Sequence, residues 1–160
     1  MAIKIKNGLD LPIAGPPVQA IKDGPEVTQV ALVGDDYIGM KPTLLVNEGD
    51  SVKLGQPVFQ DKKTPGVTFV APAAGKVHSI NRGAKRKFLS MIFDVDGDAA
   101  ESFKSYDSLN DLDAETVQEQ LVTAGMWQSF RTRPYSKVPE LGTEPNSCLL
   151  YTSPSPRDRG

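Results

Sequence analysis

Between residues 27 and 95 the chain falls into six short runs of β-branched, aromatic and aliphatic residues, at 27–33, 43–46, 56–59, 67–70, 76–80 and 88–95, each closed off by Gly, Pro, Asn or Asp. Strands this short cannot bury an apolar face alone, so the pattern predicts a compact β barrel or sandwich in which two sheets cover each other. The 14 Gly and 13 Pro in 160 residues fit a turn-rich globular chain. They fall short of the ~25–30% that marks a disordered one.

Charge and side-chain inventory remove several function classes. With 18 basic and 20 acidic residues the net charge is −2, which gives no electrostatic reason for nucleic-acid binding or for a purely charge-driven membrane contact. A single Cys148 and a single His78 exclude an internal disulfide and a structural zinc site. The opening residues Met1 to Lys6 alternate apolar and basic side chains, unlike a secretory signal. No segment approaches the ~20 apolar residues of a membrane span. A soluble, cytosolic protein is expected, with docking onto a membrane complex left open.

The organisation read from the sequence has four parts. Residues 1–26 hold Gly8, Pro12, Gly15, Pro16, Pro17, Gly24 and Pro25, too many breakers for a helix, and predict an extended arm. Residues 27–97 form the β domain. Residues 98–147 hold a polar linker, a helix over 114–124 and the start of a second domain. Asp113 is placed as the helix N-cap, Glu115 lies in the favourable first turn, Val117, Leu121 and Ala124 share one face, and Gly125 is the stop. After it, residues 125–139 mix aromatic and basic side chains. Trp127, Phe130, Arg131, Arg133, Tyr135 and Lys137 are the candidate contact residues outside the barrel, for a partner or for further domains of the same protein. Residues 148–160 lack any helical or strand period; they resemble translated vector sequence and are expected to be foreign, with the natural chain continuing past Ser147.

Two stretches share a rhythm. Residues 46–58 and 70–83 each run from a Gly- or Pro-marked turn into a short strand that ends at another Gly. Their signature turns, Glu48-Gly49-Asp50 with Gly55-Gln56 and Ala71-Pro72 with Gly75, resemble those of the biotinyl/lipoyl carrier fold, the barrel-sandwich hybrid. The resemblance implies two interleaved halves and, in a true carrier, a modified Lys on the hairpin between them. That hairpin here reads Gln60 to Val67. The carrier offset from Pro72 lands on Thr64, Lys63 is one residue out of register, and neither carrier flanking pattern is present. A free-standing carrier modified on Lys62 or Lys63 is the rival reading, and lipoyl or biotin mass on either would establish it.

Beyond the barrel, residues 3–15, Asp61 to Val67, Gly125-Met126-Trp127 and residues 131–139 together closely resemble the A subunit family of the bacterial Na⁺-translocating NADH:quinone oxidoreductase. A more distant resemblance is to the C subunit of the related ferredoxin:NAD electron-transport complex, whose downstream sequence is Cys-rich. The first resemblance covers residues 2 to about 145. It implies a barrel-sandwich hybrid followed by the start of a Rossmann-like domain, so a mainly β protein with a helical C-terminal piece (α+β). It also implies a peripheral subunit on the cytoplasmic side of the inner membrane, bound to the other subunits of a Na⁺ pump, near ubiquinone and touching the membrane only through the complex. The complex uses NADH, FAD, FMN, riboflavin, an iron–sulfur centre and ubiquinone, and the resemblance places none of these on this chain. The residues agree: there is no G-x-G-x-x-G, no G-x-x-x-x-G-K-[ST] and no set of Cys ligands. No catalytic, cofactor or metal residue is expected, and the isolated chain is expected to be inactive.

Two further features need a reading. His78 alternates with Val77 and Ser79 on a strand with no second titratable partner visible, which predicts a half-exposed strand histidine. Arg82, Lys85, Arg86 and Lys87 form a basic turn, expected to be a solvated hairpin, with anionic lipid headgroups as the functional alternative.

Overall fold

The computed structural model describes residues 14–15, 18–108, 110 and 112–144. The expected foreign tail and the first part of the arm lie outside the described residues; residues 18–26 are exposed and belong to no helix or strand. The described residues hold seven strands: β1 Gln29–Val33, β2 Pro42–Leu44, β3 Ser51–Val52, β4 Pro57–Asp61, β5 Thr68–Val70, β6 Gly75–Arg82 and β7 Phe88–Val95. They make two antiparallel sheets, one ordered β1-β7-β6-β3 and one ordered β2-β4-β5. This is the two-layer barrel the sequence predicts. The two-residue β3 is the strand that the runs did not reveal.

The core lies between the sheets and is built from alternate positions. Met91 and Phe93 of β7, Val77 of β6, Phe69 of β5 and Val58 and Phe59 of β4 are completely or almost completely buried. Adjacent burial of Val58 and Phe59 breaks the period of two because the register shifts between Pro57 and Phe59. Phe59 stacks on Phe69 with centroids 4.6 Å apart and meets Phe88 of the other sheet at 5.2 Å. Each aromatic contact adds about 0.5–1.5 kcal/mol beyond area burial.

The signature turns have local physical causes. Gly49 adopts φ +88°, and its N–H donates to the Val77 carbonyl at 2.7 Å, while Val77 donates back to Asp50 at 2.9 Å. The Glu48 carboxylate accepts the Ile80 N–H at 2.7 Å, and Asp50 Oδ2 accepts the Asn47 N–H at 2.7 Å. Gly55 donates to Ala71 and Ala71 to Gln56, at 2.9 and 2.8 Å, so the turn ending the first half is tied to the Ala71-Pro72 turn opening the second. Gly75 sits where β6 runs against the β7 backbone, at φ +148°.

The β6–β7 turn breaks its own local rule. Lys85 and Arg86 occupy its two central positions with φ of 54° and 60°, and Lys87 N–H closes it onto the Ala84 carbonyl at 3.2 Å. Two consecutive positive φ values favour Asn-Gly, and an L side chain held there is strained by about 1 kcal/mol. Lys85→Asn with Arg86→Gly should therefore raise the unfolding free energy by about 1 kcal/mol. The urea midpoint should move up at unchanged slope, and an unmoved midpoint would contradict the strain.

Beyond β7, residues 99–101, read from the sequence as linker, run alongside the barrel. Leu54 donates to Ala99 and accepts from Glu101, and Lys53 pairs with Glu101 at 3.2 Å. Helix α1, Ala114–Thr123, starts as predicted: Asp113 Oδ1 accepts the Thr116 N–H at 2.7 Å. Thr116, through its side chain and backbone, holds the Asp113 carboxyl below the usual carboxylate range. Gly125 ends the helix at φ +66° against Val70. The apolar face expected to dock is only half used: no α1 residue is buried, and Val117 points to solvent.

Candidate functional site

The hairpin where a carrier would hold its cofactor is tied down from beneath. Asp61, at the end of β4 and buried, accepts hydrogen bonds at Oδ1 from Lys41 N–H (2.9 Å) and Lys63 N–H (3.0 Å), and at Oδ2 from Thr64 Oγ1 (3.1 Å). Thr64, the residue at the attachment offset, is itself buried by this contact. The sequence did not single out Asp61, although an Asp three residues before a Thr in a turn is a recognisable side-chain-to-backbone cap.

The aromatic and basic segment after α1 divides into an inward and an outward part. Trp127 opens a single 3₁₀ turn, Trp127–Ser129, packs against the barrel core and donates its indole N–H to the Pro139 carbonyl at 2.9 Å. Arg131 lies over the Tyr37 ring at 5.0 Å, and Tyr37 in turn meets Phe69 edge-on at 4.6 Å. Burial raises the Tyr37 phenol pKa, with Arg131 opposing and Asp36 assisting. Phe130 touches Trp127 at 5.2 Å yet remains 48% exposed, and Tyr135 is 70% exposed. Thr132 and Lys137 close a turn, Thr132 N–H to Lys137 carbonyl at 2.8 Å, that carries exposed Arg133 and Tyr135; Lys137 Nζ lies 6.0 Å from the Tyr135 ring. Of the six candidate contacts, Trp127 and Arg131 are engaged by the barrel, while Phe130 and Tyr135 are presented outward.

His78 corrects the sequence reading. It is half exposed, as expected, but it has a titratable partner: Nδ1 lies 2.9 Å from Asp94 Oδ2 on β7. Gln29 Nε2 donates to the other Asp94 oxygen at 2.7 Å. Hydrogen bonds from Gln29, then from His78, lower the Asp94 pKa. The partner was invisible because a register shift between Val77 and Ser79 makes His78 the extra residue of a bulge, which turns its ring toward Asp94. Among the described residues no group of three or more His, Cys, Asp or Glu could hold a metal ion. No helix among them is long and apolar enough to cross a membrane.

Comparison with known proteins follows this architecture. Residues 3–96 match the family described as the NqrA N-terminal barrel-sandwich hybrid domain, and residues 112–155 match the NqrA second alpha/beta domain. Curated relatives are the A-subunit proteins of the Na(+)-translocating NADH-quinone reductases of Yersinia pseudotuberculosis (53% identical), Saccharophagus degradans (54%) and Cellvibrio japonicus (56%). Each match extends over 150 residues, covering 92% of this chain and 34% of the relative. The chain thus spans about a third of the length of the curated relatives it matches. With the barrel, its signature turns and the start of the following α/β segment all accounted for, the chain belongs to the NqrA family.

Proposed function

We propose that this chain is the N-terminal part of the NqrA component of a Na⁺-translocating NADH:quinone reductase, and that it is a structural and docking element within the assembled pump. The observation that carries this reading is the 53–56% identity to NqrA relatives across 92% of the chain. In this reading electron transfer and Na⁺ export belong to the assembly, on the cytoplasmic side of the bacterial inner membrane. The flavins, the iron–sulfur centre and the NADH site belong to other subunits, and ubiquinone approaches this one without a catalytic residue from it. The buried, hydrogen-bonded Thr64 supports a platform over a swinging cofactor arm.

The docking surface is the outward part of the segment after α1. Met126, Phe130 and Tyr135 are 52%, 48% and 70% exposed, and Gln128 Oε1 is buried without a hydrogen-bond partner among the described residues. Exposed aromatics of this kind carry interface energy when a partner covers them. Capture of the 160-residue chain by the detergent-solubilised remaining subunits tests the reading. Phe130→Ala with Tyr135→Ala should weaken capture roughly tenfold while the urea midpoint stays near the parent's. No capture of the parent chain would defeat the docking role; equal capture of parent and variant would move the interface elsewhere.

A further inference from the structure

Three loops far apart in sequence bring their cations to one recess. A cavity of about 850 Å³ is lined by the β1–β2 connection from Gly34 to Pro42, by Lys62 and Lys63 of the β4–β5 hairpin, and by the β6–β7 turn with its flanks. Seven of the chain's 18 basic residues line it: Lys41, Lys62, Lys63, Arg82, Lys85, Arg86 and Lys87. The one carboxylate in the lining, Asp35, is paired with Lys87. Among the described residues the Lys41, Lys62, Lys63, Lys85 and Arg86 side chains have no carboxylate partner. Asp61 beneath the hairpin is spent on the Lys41 and Lys63 N–H groups and on Thr64.

Gathering like charges in one hollow of a chain with net charge −2 raises the energy of the empty protein. The β6–β7 turn adds a second local conflict, because Lys85 and Arg86 hold backbone positions that suit Asn-Gly. Violations of local preference that converge on one place mark function more often than chance. The remaining wall is apolar, with Tyr37, Ile38, Met40 and Phe88, and a second cavity of about 240 Å³ shares Tyr37, Ile38, Met40 and Lys63 of that wall. The larger volume lies within the ~300–1,000 Å³ of small-molecule sites.

We propose that this recess binds a phosphorylated organic anion of diphosphate size. The phosphates meet the lysines and arginines of the three loops, and the organic body lies along Ile38 and Met40. All seven cations are exposed around the recess, and a small anion seated in it meets cations from three loops at once. The site stands independently of the docking role, since it rests on the barrel alone.

Isothermal titration of the 160-residue chain with inorganic pyrophosphate and with ADP tests it, alongside flotation with phosphatidylcholine vesicles containing phosphatidylglycerol. Both soluble anions should bind, with affinity falling steeply as salt rises, and the vesicles should not carry the chain. Lys62→Gln with Lys63→Gln should weaken pyrophosphate binding roughly tenfold or more. Lys85→Asn with Arg86→Gly should weaken it comparably although that variant is the more stable protein, which separates lost binding from lost folding. Lys76→Gln, exposed on β6 and outside the lining, should bind as the parent does. Failure of both anions to bind would overturn the site. Vesicle capture without pyrophosphate binding would replace it with a lipid surface. An equal loss in Lys76→Gln would reduce it to net charge.

Discussion

Gly75→Ala should leave the chain unable to hold its barrel. A Cβ at this position would stand 1.8 Å from the Asp94 carbonyl oxygen, 2.9 Å from its carbon and 3.0 Å from the Asp96 nitrogen. All three are backbone atoms, so no rotamer change relieves the clash. The same residue pairs with Val52 of β3 and with Val95 of β7, and the adjacent Ala74 carbonyl accepts the Asp96 N–H at 3.0 Å. Moving β7 away would therefore open the sheet at the point where three of its strands meet. The φ of +148° adds a backbone preference against any L side chain. A loss of more than about 4 kcal/mol is expected, comparable to the whole stability of a small domain. Gly97→Ala supplies the comparison: φ is +79° there, but nothing lies within 4 Å of its Cβ position, so the loss should stay near about 1 kcal/mol. Far-ultraviolet circular dichroism and urea unfolding of the two variants check the contrast. Similar midpoints would mean that the close approach at Gly75 is absent.

The features legible in the sequence are those whose causes lie within a few residues. Gly49-Asp50 is readable because the turn needs a glycine at positive φ and Asp50 accepts the Asn47 N–H three residues back, and Asp113 because an N-cap is satisfied three residues on. The barrel follows from the same locality, since closely spaced short strands leave two packed sheets as the stable arrangement. What escaped is set by pairing across the sheets. Ser51–Val52 is too short to show a period, and the bulge that brings His78 to Asp94 depends on the β6–β7 register. Trp127 reads equally well as a partner contact or as packing for a following domain, and only the fold of residues 127–139 back onto the barrel sets it against this core and places its indole N–H on Pro139. The cationic recess is half visible: the basic turn at 82–87 stands out, but Lys41 and Lys62 join it only through Asp61 and the Lys62 N–H to Lys41 carbonyl bond of 2.9 Å.

Phe59→Ala should be the costliest of the large-to-small changes in the core. Phe59 is fully buried and belongs to the β2-β4-β5 sheet, yet its ring contacts Phe88 of the other sheet, so it joins the two layers. It also supports Phe69, on which Tyr37 rests edge-on. Truncation removes the transfer energy of a phenyl ring and leaves a cavity whose walls are held by strands on both sides, for an expected loss of about 3–5 kcal/mol. Phe59→Leu keeps most of the volume and forfeits the ring contacts, for about 1–2 kcal/mol. Urea unfolding gives both numbers, and near-ultraviolet circular dichroism of Phe59→Leu should show a changed aromatic signal if Tyr37 relaxes with Phe69. The ratio between the variants is the informative quantity. A loss in Phe59→Ala no larger than in Phe59→Leu would mean that the layers collapse onto the vacancy. In that case the hydrogen-bonded turns at Gly49 and Gly55, not the aromatic cluster, would set the spacing of the sheets. A wide gap would mean that the turns fix the walls rigidly and the aromatic cluster must fill what they enclose, which is the arrangement a docking platform with a preformed recess requires.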